Sequence, residues 1–204
     1  MDKLCRSILA AARFYDKKKV GDIGPLGFRR STDLMKLYDC ISFLLDQRIL
    51  IPGESRFLDM GCADGRVNVL FSYLTEISVG IELDEWNLDE YTPLKKDLEK
   101  VLKEENLLLP PDNISLFHGN SIDQDLYRSI KESTGIGFED FDLFYTYLTM
   151  HEEFADYIAR NGKGGAVFMV YGLDKIIPKY SGFTLLTPNE PREGILALYR
   201  KDFQ

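Results

Sequence analysis

The run Phe57-Leu58-Asp59-Met60-Gly61-Cys62-Ala63-Asp64-Gly65-Arg66 sets small residues and carboxylates at a change of element. Phe57 and Leu58 read as the end of a buried strand, and Val67, Leu70, Phe71 and Leu74 then recur at helical spacing. A strand that turns into a helix this way brings backbone N–H groups close to a ligand at the helix N-terminus. Gly61 and Gly65 allow the backbone angles such a turn needs. Asp59 closes the strand, and Glu82 closes the next strand-like run, Ile77-Ser78-Val79-Gly80-Ile81. In a doubly wound fold an acid there hydrogen-bonds a ribose hydroxyl. The spacing is not the G-x-G-x-x-G of a dinucleotide site, and Asp59 and Asp64 would repel a pyrophosphate.

Three further clusters hold chemistry-bearing side chains. Gly119-Asn120-Ser121 follows a third strand; the Asn120 oxygen can accept a hydrogen bond from a ligand, or Asn120 and Ser121 can cap the helix after Ile122. His118, just before them, reads as a half-buried strand residue and not as a catalyst. Tyr145-Thr146-Tyr147-Leu148-Thr149 ends a fourth strand, where Tyr145 and Tyr147 line an acceptor channel or pack as aromatic core. His151, Glu152 and Glu153 follow. His151 is a candidate general base; the bland alternative is a helix N-terminus with favourably placed acids. Adjacent side chains on a helix point different ways, so these three do not suggest a metal site, and none is expected elsewhere.

Gly61, Ala63 and Gly65, with Asp59 two residues ahead, resemble the first motif of the class I S-adenosylmethionine (SAM) dependent methyltransferases, Asp/Glu-x-Gly-x-Gly-x-Gly. Ala63 stands for the middle glycine. The Gly-x-x-Asp-Gly-Arg form is most similar to a branch containing seven-strand lysine methyltransferases. The resemblance implies SAM as cofactor and S-adenosylhomocysteine as product, with carboxylates suited to the cofactor's ammonium and sulfonium. It implies a cofactor set of Asp59, Gly61, Cys62, Ala63, Gly65, Glu82, Leu83, Asn120, Ser121 and Thr146, with Leu83 against the adenine. Tyr147, Tyr145 and His151 are the candidate catalytic residues. No Asp/Asn-Pro-Pro-Tyr follows the fourth strand, so that family clue to planar amine substrates is missing. Lys163-Gly164-Gly165 resembles the family's turn before the fifth strand. The activity implied is methyl transfer to a protein side chain or small molecule; the alternative is a non-catalytic SAM-fold subunit.

These residues need a scaffold. Strands are expected near 56–60, 77–82, 114–117, 141–146, 166–171, 183–187 and 195–200, with helices near 1–15, 65–75, 86–105, 123–130 and 152–160. A further helix carries Leu34, Leu37, Ile41, Leu44 and Leu45 on one face, with Ser31 or Thr32 as its cap. The alternation implies an α/β fold, with a parallel sheet, right-handed crossovers and a closing hairpin. The resemblance adds a doubly wound seven-stranded sheet, helices on both faces and an antiparallel last strand. Residues 1–50 are expected to form a helical N-terminal extension packed on a domain spanning 51–204, and that extension, with Phe28 and Arg30, is expected to grip the acceptor together with the loops after the fourth and fifth strands. The 204 residues fit one compact domain. A net charge of −8 disfavours a nucleic-acid partner, and Lys17-Lys18-Lys19 reads as a solvated run. Three cysteines without regular spacing argue against a disulfide framework or zinc, and no apolar run is long enough for a membrane span, so a cytoplasmic setting is expected.

Overall fold

The computed structural model describes residues 2–18, 31–173, 177–187 and 196–203. Two helices come first, α1 (Lys3–Asp16) and α2 (Leu34–Asp46). Strands and helices then alternate: β1 (Arg56–Met60), α3 (Arg66–Ser72), β2 (Ile77–Glu82), α4 (Glu85–Asp89), α5 (Tyr91–Glu104), β3 (Ile114–His118), α6 (Gln124–Thr134), β4 (Leu143–Tyr147), α7 (His151–Asn161) and β5 (Val167–Tyr171). The hairpin strands β6 (Phe183–Leu185) and β7 (Leu196–Lys201) close the order. All seven strands form one sheet in the order β3-β2-β1-β4-β5-β7-β6. The first five are parallel, and β7 runs antiparallel to both β5 and β6. The expected α/β architecture, with helices on both faces and an antiparallel last strand, is therefore present.

Alternate strand residues feed two apolar cores. Phe57, Leu143, Tyr145, Met169 and Leu198 pack with α1, α2, α3 and α5, while Leu58, Phe144, Phe168 and Tyr199 pack with α6 and α7. Leu34, Leu37 and Leu44 of α2 are fully buried, each contributing roughly 1.5–3 kcal/mol. The N-terminal helices thus share their core with the sheet. On β2, a Cβ at Gly80 would come within 2.6 Å of the Asn68 Oδ1, so glycine lets α3 press close. Buried Asn68 uses that closeness, donating from Nδ2 to the Val79 carbonyl at 2.8 Å.

Several local expectations need correction. α2 is capped by Asp33, not by Ser31 or Thr32: its carboxylate accepts from the Lys36 N–H at 3.0 Å. Thr32 is drawn away to Tyr145. The expected helix over 86–105 is two helices, because Asp84 caps α4 and the chain turns again at Glu90. Asp123, not Asn120 or Ser121, caps α6. β4 starts at Leu143, since the Asp142 carboxylate is used to accept the Arg56 N–H at 2.8 Å.

Candidate functional site

The turn after β1 is held by main-chain hydrogen bonds and one carboxylate. The Cys62 N–H donates to the Ile81 carbonyl at 2.9 Å, and the Gly65 N–H to the Cys62 carbonyl at 2.8 Å. Glu82 accepts the Ala63 N–H on Oε2 and the Asp84 N–H on Oε1, both at 2.9 Å. It therefore fixes the turn after β1 against the turn after β2. Gly61 has φ +142°, and a Cβ built there meets no protein atom within 4 Å. Ala63 takes the left-handed conformation at φ +48°, a strained state for a residue with a Cβ.

Asp59 lies between Gly80 of β2 and Tyr145 of β4 in the sheet register and is 1% exposed. Its Oδ1 has no hydrogen-bond partner among the described residues. Burial pushes the carboxyl well above the usual range, and the negative charges of Glu82 and Asp64 add to the shift. A buried carboxyl oxygen left unpaired beside an open glycine is a poor stability device and a good seat for a cationic or hydrogen-bonding ligand. Asp64 is different. Its carboxylate takes Arg66 Nε at 2.9 Å and Nη2 at 2.8 Å, both residues being buried, so it is neutralised within the protein. Asp64 therefore turns no unpaired charge toward a pyrophosphate, and Asp59, its carboxyl held well above the usual range, turns less than an ordinary carboxylate would.

Leu83 and Trp86 present apolar surface beside this turn, at 66% and 84% exposure. His118 is exposed rather than half-buried, with Nε2 at 3.1 Å from the Leu83 carbonyl. Asn120 is also exposed, and its Oδ1 already accepts the Ile122 N–H at 3.1 Å. Ser121 is buried, and its carbonyl accepts the Tyr127 hydroxyl at 2.7 Å. Cys62 is buried, which pushes its thiol well up and keeps it a small apolar filler.

At the ends of β4 and β5 the side chains belong to residues far apart in sequence. Tyr145 is fully buried, with its hydroxyl 2.6 Å from the Thr32 hydroxyl. Tyr171 accepts the Asp33 N–H at 3.1 Å, and its ring lies 5.6 Å from that of half-buried Tyr147. The Asp16 carboxylate accepts the Leu34 and Met35 N–H groups, joining the end of α1 to the start of α2. The Arg66 guanidinium reaches the Lys18 carbonyl and the Ser31 hydroxyl, each at 3.3 Å, and lies 5.7 Å from the centre of the Tyr15 ring. Thr146 is buried and donates to the Tyr147 carbonyl at 2.9 Å. Phe28 and Arg30 lie outside the described residues.

Sequence reasoning did not single out Thr32, Asp33, Arg66, Tyr171 or Tyr180 as parts of this end of the molecule. Only Arg66 carried a signal, two positions after an acid in the turn. Among the described residues, no group of three His, Cys, Asp or Glu side chains is placed to hold a metal ion, and no helix is long and apolar enough to cross a membrane.

No protein-family model and no curated protein matches the chain. Solved structures do. The yhhF protein of Escherichia coli, to which methyltransferase activity is ascribed, superposes with a TM-score of 0.52 at 14% identity, over 91% of each chain. The chain has the class I SAM-dependent methyltransferase fold. An RNA methyltransferase of Salinibacter ruber, in complex with S-adenosyl-L-homocysteine, superposes with a TM-score of 0.50 at 15% identity, over 86% of this chain and 95% of the other. At these identities the likeness is one of fold.

Proposed function

We propose that the chain transfers a methyl group from SAM to a protein side chain or a small molecule. The observation that carries this is the unpaired, buried Asp59 carboxyl beside the open Gly61, with Glu82 closing β2 one strand away. These residues fit the cofactor: Asp59 and the turn at Gly61 to Gly65 receive its cationic methionine end, Glu82 its ribose, and Leu83 its adenine. Asn120, Ser121 and Thr146 complete the proposed cofactor set. SAM supplies an activated methyl group, so the protein's task is to hold a nucleophile in line and exclude water.

In this reading the acceptor enters past Tyr147 at the carboxyl ends of β4 and β5, with His151 as candidate base and buried Tyr145 supporting the wall through Tyr171. Net charge −8 speaks for an acceptor other than nucleic acid. Cys5, Cys40 and Cys62 form no disulfide with one another, which accords with a cytoplasmic setting. The Salinibacter ruber neighbour acts on RNA, and one experiment decides between the classes: radioactive methyl transfer from SAM into cell extract. Label in protein or small molecules supports the reading. Label recovered in nuclease-sensitive polymer refutes the acceptor class. No label, with SAM bound, leaves the non-catalytic subunit.

A further inference from the structure

One buried-side contact has no role in the cofactor site. The His151 Nδ1 and the Tyr180 hydroxyl oxygen stand 2.5 Å apart. His151 opens α7, four residues past the end of β4, and β4 pairs directly with β1 of the cofactor turn. Ligands of open α/β sheets bind outside the carboxyl ends of such strands. Tyr180 comes from the connection between β5 and β6 and is held by packing. Its ring lies 4.6 Å from that of Tyr199 and 5.8 Å from that of Phe168. The Tyr199 hydroxyl donates to the Pro178 carbonyl at 2.9 Å, which fixes the connection itself.

Resting on the methyl-transfer reading, we propose that Tyr180 is a positioning residue that holds His151 as the base for an acceptor that must lose a proton, such as an ammonium or a hydroxyl. Burial raises the Tyr180 hydroxyl well above the ordinary tyrosine value, with Tyr199 and Glu152 adding to it, so it stays a neutral hydroxyl. Its oxygen accepts the His151 Nδ1–H, which leaves the Nε2 lone pair bare. Nε2 would take the acceptor's proton, before attack for an ammonium, whose lone pair is freed only then, and during attack for a hydroxyl; the acceptor's lone pair would then bond the methyl carbon while the sulfur keeps the electron pair of the bond it loses. The imidazolium so formed keeps its Nδ1–H on Tyr180, now as a charge-assisted bond. Glu152 and Glu153 in the first turn of α7 and Tyr199 on β7 are the other titratable groups around the pair.

The test begins without cofactor. The chain has two histidines, so nitrogen-15 imidazole spectra resolve His151 once His118→Gln removes the other signal. The expected wild-type spectrum shows the proton on Nδ1, reverting to Nε2 in Tyr180→Phe. A wild-type proton on Nε2, or no change in Tyr180→Phe, overturns the proposal. In the extract assay Tyr180→Phe should lower turnover about tenfold, the worth of one hydrogen bond to a charged group, with SAM affinity unchanged. Wild-type turnover in Tyr180→Phe overturns the proposal. Wild-type protein that binds no S-adenosylhomocysteine by calorimetry refutes the methyl-transfer reading on which it rests.

Discussion

The two ends of the candidate site are built differently. At the proposed cofactor end, residues 59–65 and 80–84 are joined by backbone N–H groups and the Glu82 carboxylate, all within 26 residues of chain. At the proposed acceptor end, Thr32 meets Tyr145 and Asp33 meets Tyr171 across 113 and 138 residues. The first is a local motif, built from residues close in sequence. The second is assembled by the N-terminal helices docking on the sheet, so its shape is a property of tertiary packing. Arg66 is where they join, since it pairs with Asp64 of the turn and reaches Lys18 and Ser31.

This contrast can be broken experimentally, and the largest effect should come from Gly61→Val. The Cβ has room in the protein, so the fold should survive with some strain at φ +142°, while the side chain fills the proposed methionine seat. Calorimetry should show SAM binding abolished; normal binding would remove the turn from the ligand. Glu82→Ala should cost about 1.5–3 kcal/mol of cofactor affinity, tenfold or more. It should also lower the denaturation midpoint, because two backbone N–H groups lose their acceptor. An unchanged dissociation constant would place the ribose contact elsewhere.

At the other end, Tyr145 and Tyr147 should respond in opposite ways. Tyr145→Phe leaves the buried Thr32 hydroxyl unpaired, so it should cost about 1–3 kcal/mol of stability in a urea titration. Tyr147→Phe should leave stability nearly untouched and lower turnover more than SAM affinity, as an acceptor-side contact does. If both variants behave alike, the two tyrosines do not divide into packing and acceptor roles. The smallest effect is expected from Ala63→Gly. Relieving the left-handed strain, partly offset by glycine's larger unfolded-state entropy, should stabilise the fold by up to about 1 kcal/mol with SAM affinity retained. Lost affinity would mean that the Ala63 methyl touches the ligand.

The same division decided what could be read from sequence. The strand–turn–helix at Asp59 to Arg66 was legible because small residues, a period-3.6 apolar face and a closing acid all sit within one window. The strands were legible as apolar runs, and Glu82 followed from its place at the end of one. The helix caps were read a residue or more off, because Ser31, Thr32, Asp33, Asn120, Ser121 and Asp123 are all competent caps and tertiary partners choose among them. The Thr32–Tyr145 and His151–Tyr180 contacts had no local signal at all. The Asp64–Arg66 pair lay in plain view, two residues apart, but its burial under the N-terminal helices could not be inferred from spacing.

The central claim is that Asp59 receives the cationic end of SAM. In the free protein its carboxyl holds a proton to higher pH than an ordinary carboxyl, whose value is 3.8. The unfolded chain ionises first, so without cofactor the fold loses stability as pH rises from that value towards the raised one. A cation placed against the group favours its ionised form. Binding should therefore release a proton, and affinity should rise with pH through that window. The direct measurement is calorimetric titration of SAM at mildly acidic pH in two buffers of different ionisation enthalpy, for the wild type and Asp59→Asn. The account predicts tight binding with proton release in the wild type, and weaker binding with no proton release in the variant. Tight NAD binding with SAM silent, or SAM binding with no proton exchanged and no effect of Asp59→Asn, would contradict it.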